Sequence, residues 1–195
     1  MSELVFIGTS DAFGAGGRRQ SAIFVRGERG GMLFDCGATT NTGLAQLGIS
    51  RDEIDVILIS HFHGDHFGGI PAFLYASMYM DARKHPIEIV GPPEIEARVH
   101  QLAEAMGHHL RDRDWPYPIH FREIHPDEAL PAGPARIQAF AAAHQTAANP
   151  PGLSLIHTSQ PTRPRLPSYA VFRLHQKLTP SMPLIRLLLI PLPTH

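Results

Sequence analysis

Short apolar runs, separated by glycine, proline and charged residues, follow one another through the first 141 residues of the chain. Runs of four to eight residues that are rich in Val, Ile and Phe predict β-strands. In residues 94–109 the apolar side chains recur every three to four positions, which predicts a helix. The mixture of strands and helices predicts layered α/β structure. Predicted strands span residues 4–7, 21–25, 31–35, 55–60, 86–90, 117–124 and 135–141, and predicted helices span 39–47, 70–80 and 94–109.

The pattern changes after residue 150. Prolines at 161, 164 and 167 exclude a long helix or a central strand there, because proline lacks the backbone donor that both need. No period of two or of 3.6 residues is visible. We therefore predict one domain over residues 1–153 and an atypical, Pro-rich tail over 154–195, which we expect to be poorly ordered.

Charge is distributed unevenly along the chain. All eighteen acidic residues lie at or before Glu128, so residues 1–128 carry a net charge of −7 and residues 129–195 carry +6. An acid-free, Pro-rich tail is what an out-of-frame reading of a GC-rich gene tends to produce. A natural but divergent tail is the competing hypothesis, and the coding DNA distinguishes the two.

Composition bounds the class of protein. A chain of 195 residues with 43% hydrophobic and 18% charged residues predicts a globular protein with a full core. The net charge of −1 gives no general argument for binding to nucleic acid or membranes, and no apolar stretch is long enough to span a bilayer. One cysteine excludes an internal disulfide. No secretory signal is visible at the N-terminus, so we expect a cytoplasmic protein without a membrane partner.

Four candidate metal ligands lie within six residues, directly after the predicted strand at 55–60. They are His61, His63, Asp65 and His66. Imidazole nitrogens and a carboxylate suit zinc and related divalent ions. Gly64 is expected to allow a tight turn that directs the ligands on both sides of it inward. Thirteen histidines make chance pairs common, but three histidines and an aspartate at this spacing after a buried strand favour a metal site.

The chain resembles the metallo-β-lactamase superfamily over about residues 3–150, and within it the ribonuclease Z-like and phosphodiesterase-like branch. Three segments carry the resemblance. The loop that begins Gly8-Thr-Ser-Asp-Ala-Phe and ends at 18–21 is similar to the opening loop of that branch, and Phe34-Asp-Cys-Gly37 is similar to its acidic strand end. Residues 61–66 match the metal motif, and His144 stands where such proteins place their next histidine ligand.

The resemblance implies the four-layer αβ/βα sandwich of that superfamily, an α/β fold with metal ions at one rim. Because the chain departs from the family pattern after residue 153, we expect the second half of the sandwich to be incomplete. By position, the resemblance places His61, His63 and His144 around a first ion and Asp65 and His66 around a second. Zinc is the implied cofactor, as one or two ions, and manganese or another divalent metal is the alternative.

Further roles follow from the same resemblance. Asp65 is the candidate catalytic residue, since it can accept a proton as the nucleophile forms. For Asp35 two roles stay open: an acceptor that orients a ligand histidine, or a turn carboxylate that bonds local backbone. Cys36 is expected to be a small buried residue.

The histidines of the predicted helix at 94–109 are expected at the surface: His100, His108 and His109.

The chain departs from the family at the second ion. The family supplies a bridging aspartate after His144 and a last histidine near its C-terminus. No acid follows Glu128, and His157, His175 and His195 stand in no recognisable context. We therefore expect one ion to bind tightly and a second weakly or not at all.

The function implied is metal-dependent hydrolysis of a phosphodiester, either RNA or a small cyclic or other nucleotide phosphodiester, through a metal-activated water. Two alternatives stay open. One is a catalytically defective or truncated metal-binding homologue. The other is a hydrolase of a thioester, lactone or β-lactam, which the same motif can serve. The expected partner is the phosphodiester substrate, with RNA as one candidate, and a homodimer is left open as the assembly.

Overall fold

The computed structural model describes residues 3–111 and 113–141, together with short strands at 153–154 and 173–175. The predicted ligand His144 and most of the predicted tail lie outside these residues. No helix in this described part is both long enough and apolar enough to cross a membrane.

A six-stranded sheet forms the centre of the molecule, with its strands in sequence order. The first three strands are antiparallel neighbours, and the last four are parallel. The second and third strands form a hairpin, as predicted, in which Gly27 pairs with Gly30. The strands are β1 (Glu3–Gly8), β2 (Ala22–Gly27), β3 (Gly30–Phe34), β4 (Val56–Leu58), β5 (Ile87–Gly91) and β6 (Ile119–Glu123).

Helices connect the parallel strands, since a parallel pair needs a crossover. They are α1 (Thr40–Gln46), α2 (Gly64–Phe67), α3 (Ile70–Tyr79) and α4 (Ile95–Ala105). Their apolar residues pack on one face of the sheet in a single core cluster. Phe24, Ile57 and Phe73 belong to this cluster and are fully buried.

A small sheet covers the opposite face. Its strands are β7 (Ala129–Ala132), β8 (Ala135–Gln138) and β11 (Arg173–His175), all antiparallel, and a separate pair joins β9 (Phe140–Ala141) to β10 (Leu153–Ser154). Leu130 and Ile137 of the small sheet share a second core cluster with Phe34 and Leu58 of the large one. Strands β3 and β4 are thus buried on both faces, which explains their nearly continuous apolar sequence.

Most predicted elements are present, and three predictions were wrong in detail. The last long helix ends at Ala105 rather than at 109, because Gly107 has φ 72°, a left-handed conformation that stops a helix. The predicted strand at 135–141 is two strands, β8 and β9, and the strand β7, which contains Pro131, was not predicted. His100 is buried against Phe121 and is not a surface residue.

Candidate metal centre

The histidine motif follows the buried central strand β4. All three residues of β4 are buried, and the chain reaches His61 three residues after the strand ends. His63 immediately precedes α2, and Asp65 and His66 lie within that short helix. The motif therefore leaves the carboxyl end of a parallel strand, which is where open α/β sheets bind their ligands.

Four of the five predicted ligands lie close together. The ring centroid of His61 is 4.7 Å from that of His63 and 4.0 Å from that of His66. Nε2 of His66 lies 3.1 Å from Oδ2 of Asp65. The fifth predicted ligand, His144, is outside the described residues.

Asp35 supports this cluster from the neighbouring strand. It follows β3 directly, is buried, and has φ 60°, a conformation that residues other than glycine rarely adopt. Its Oδ2 lies 2.7 Å from Nδ1 of His66, and its Oδ1 accepts the backbone N–H of Ser60 at 2.8 Å. Of the two roles left open for Asp35, this geometry favours the acceptor that orients a histidine. The unusual backbone conformation thus lies at the candidate site, where such conformations tend to cluster.

The two carboxylates determine the charge of His66. Burial by itself would lower the pKa of His66, but its hydrogen bonds to Asp35 and Asp65 outweigh burial and raise that pKa to about 10. Burial acts to raise the pKa of Asp65, yet the hydrogen bond and charge of His66 hold it below the ordinary value. In the metal-free molecule, therefore, an imidazolium ring lies between two carboxylates.

Cys36 is next to Asp35 but does not belong to the ligand set. Its side chain is fully buried, and this burial, with the charge of Asp35, raises the pKa of the thiol far above its ordinary range. A thiol that stays protonated is a poor metal ligand. The prediction that Cys36 is a small buried residue is confirmed.

The donor set fits a zinc-like ion by its chemistry. Three imidazoles and a carboxylate are the ligand types that zinc takes, and an aspartate behind His66 is the usual outer partner of a ligating histidine. Across residues 3–111 and 113–141, no three of the donors already form a group arranged to hold an ion. Asp65 and His66 are instead paired with each other, so an ion bound there would have to replace the proton between them.

The predicted role of Gly64 is wrong. Its φ is not in the left-handed region, and a Cβ added to it would meet nothing within 4 Å. The glycine that the site needs is Gly37, where an added Cβ would lie 2.0 Å from the carbonyl oxygen of Asp65 and 2.8 Å from Oε1 of Gln20. Gly37 thus allows the segment after β3 to approach the metal motif closely.

Gly37→Ala is expected to reduce the free energy of unfolding by about 1–3 kcal/mol, because the added methyl forces the two segments apart. Gly64→Ala is the matched control, and its effect should stay within about 0.5 kcal/mol. Urea unfolding followed by circular dichroism measures both. Equal stability of the two variants would show that Gly37 does not limit the approach.

Two polar residues of the site were not predicted from the sequence. Ser60 contacts Asp35 and His61 through its hydroxyl group. Gln20 joins the opening loop to the site, since its amide donates to the carbonyl of Ala12 and its Oε1 accepts the N–H of Thr39. A hydroxyl residue directly before the first histidine was the available signal for Ser60. Gln20 carried no such signal, because its partners depend on the packing of the loop.

Similarity to known proteins agrees with this fold. Ribonuclease Z of Halorubrum lacusprofundi is 36% identical over 144 residues, which cover 73% of this chain and 44% of that protein. The crystal structure of the short form of human tRNase Z is similar with a TM-score of 0.62 at 27% identity, covering 78% of this chain and 63% of that one. The metallo-β-lactamase fold protein YhfI from Bacillus subtilis, at 20% identity, has a TM-score of 0.59 over 78% of this chain and 57% of its own.

Fold and sequence together define a protein of the metallo-β-lactamase superfamily with a ribonuclease Z-like relationship over most of its length, as predicted. The α/β sandwich is likewise confirmed. Within this superfamily, the chain belongs to the family described as the anti-Pycsar protein Apyc1, whose model matches residues 2–172. The chain spans about half the length of the curated ribonuclease Z relatives it matches, from 44% to 51% for three of them.

Proposed function

We propose that this chain is a metal-dependent hydrolase of phosphodiesters. The observation that carries the proposal is the row of contacts Asp35–His66–Asp65 beside His61, at the carboxyl end of β4. Each carboxylate contacts one nitrogen of the same ring, which fixes the orientation of His66 within the cluster. The names of the ribonuclease Z relatives agree with a phosphodiester as the substrate class.

The residues of the site divide the chemistry among them. His61 and His63, with His144 as the predicted third ligand, would hold the first ion, and Asp65 and His66 the second. A bound divalent ion supplies positive charge for the phosphoryl oxygens and acidifies a water molecule. Asp65, whose carboxylate contacts His66 at the edge of the cluster, would accept a proton from the attacking water. Asp35 keeps the His66 ring in place throughout.

Charge favours a small substrate over a long nucleic acid. The part of the chain that contains the motif, residues 1–128, has a net charge of −7. Long phosphate backbones are bound mainly through Lys and Arg, and an acidic surface weakens that contribution. We therefore expect a small cyclic nucleotide to be a better substrate than RNA. Both are included in the test below.

Hydrolysis of a generic phosphodiester tests the function. Purified protein is incubated with bis(p-nitrophenyl) phosphate, a 3′,5′-cyclic mononucleotide, a short RNA, a thioester and a β-lactam, each with zinc, with manganese and with a chelator. We expect hydrolysis of the phosphodiesters only, abolished by the chelator, and about one tightly bound ion per chain by elemental analysis. Metal binding without any hydrolysis would instead support the catalytically defective homologue.

Three statements remain predictions beside this proposal. They are the boundary between residues 153 and 154, a cytoplasmic location and a homodimeric assembly. Sedimentation of the purified protein would decide the assembly.

A further inference from the structure

Ser60 occupies a central position behind the histidine cluster. The residue is fully buried between β4 and His61. Its backbone N–H donates to Oδ1 of Asp35 at 2.8 Å, and its hydroxyl oxygen lies 3.0 Å from Oδ2 of the same carboxylate. On its other side, the hydroxyl oxygen lies 3.0 Å from Nδ1 of His61. The hydroxyl group therefore connects Asp35 to His61.

The number of protons determines the direction of these two hydrogen bonds. A serine hydroxyl has one proton to donate, and Oδ2 of Asp35 is placed to accept it. The proton of Ser60 must therefore point to Asp35. If it pointed to His61 instead, two oxygen lone pairs would face each other at 3.0 Å in a buried place, which is costly. With its proton given to Asp35, Ser60 can only accept from His61, so Nδ1 of His61 carries a hydrogen.

The same carboxylate orients a second ring of the cluster. Oδ2 of Asp35 also contacts Nδ1 of His66, at 2.7 Å. His66 is thus held directly and His61 through Ser60, each by its Nδ1. In both rings the nitrogen that faces away from Asp35 is Nε2. That of His66 contacts Asp65, whereas in a neutral His61 ring with a protonated Nδ1 the Nε2 atom keeps its lone pair.

We propose that Ser60 is a positioning residue that holds His61 in the tautomer protonated at Nδ1 and so presents Nε2 of His61 to a metal ion. The role toward the ion rests on the proposed function. The tautomer does not, because it follows from the contacts among Asp35, Ser60 and His61 alone.

Nitrogen NMR of the metal-free protein tests the tautomer directly. Long-range proton–nitrogen spectra are recorded at pH 8, above the ordinary histidine pKa of about 6.5, and His61 is assigned by comparison with His61→Gln. In the wild type we expect Nδ1 of His61 to carry a hydrogen and Nε2 of His61 to be unprotonated. Ser60→Ala should shift His61 toward the other tautomer, and Ser60→Thr, which keeps the hydroxyl, should preserve the wild-type spectrum.

Zinc affinity gives a second measurement that is independent of hydrolysis. In competition with a chromogenic chelator, Ser60→Ala should bind zinc about 10–100-fold more weakly, the usual effect of losing an outer partner of a ligand. Ser60→Thr should stay within about threefold of wild type, well under that range. Ser77→Ala is the matched control, since Ser77 is also fully buried but lies on α3, and its zinc affinity should not change.

The outcomes separate this inference from the proposed function. A wild-type spectrum with the hydrogen on Nε2 of His61 would overturn the inference even if Ser60→Ala failed to fold. An unchanged tautomer and unchanged zinc affinity in Ser60→Ala would overturn it as well. If the tautomer and affinity results hold but no phosphodiester is hydrolysed, the proposed function fails and the role of Ser60 stands.

Discussion

Asp65→Asn is expected to lower kcat for phosphodiester hydrolysis by about 10²–10⁴-fold, the usual contribution of a positioned general base. The amide keeps the shape of the side chain but cannot accept the proton of the attacking water. Because His61 and His63 are unchanged, the first ion should remain bound. Steady-state kinetics with bis(p-nitrophenyl) phosphate, together with elemental analysis of the same sample, measures both properties.

Asp114→Asn is the control for this loss of a carboxylate. Asp114 is exposed in the connection between α4 and β6, away from the histidine motif in the sequence. Its replacement should leave kcat and metal content at wild-type levels. If Asp65→Asn retained full activity, Asp65 would not be the proton acceptor and its role would be limited to binding.

His63→Ala is expected to remove most of the tightly bound metal and with it any hydrolysis. The loss in zinc affinity should exceed the roughly 10–100-fold that follows from removing an outer partner, since here a ligand itself is lost. The fold should survive, because His63 is only partly buried and its side chain makes no capping hydrogen bond to α2. Chelator competition and thermal unfolding measure the two effects separately.

His120→Ala provides the matched histidine control. His120 is exposed on β6, at the edge of the large sheet. Metal content should not change in this variant, whereas it should fall in His63→Ala. A normal metal content in His63→Ala would mean that the ion is held elsewhere and that the assigned site is wrong.

Local sequence was sufficient for the features that depend on neighbouring residues. The strand β4 was predicted from its uninterrupted apolar run. Such a run is typical of a strand whose side chains are buried on both faces, as those of β4 are. The motif from His61 to His66 is contiguous, so its ligand types could be read directly. The end of α4 was misplaced, because the left-handed backbone at Gly107 ends the helix before the two histidines at 108 and 109 that were included in it.

The sequence by itself determined the chemistry that is available, namely the types and spacing of the candidate ligands and the family that contains them. Only the tertiary structure decided which residues stand behind those ligands. Asp35 and Ser60 are 25 positions apart, and they meet because β3 and β4 pair in parallel with Phe34 opposite Leu58, which aligns their carboxyl ends. This pairing joins residues that are distant along the chain, so no local pattern of the sequence encodes it. Tertiary packing also buries His100 of α4 against Phe121 of β6, whereas its sequence neighbourhood indicated an exposed position.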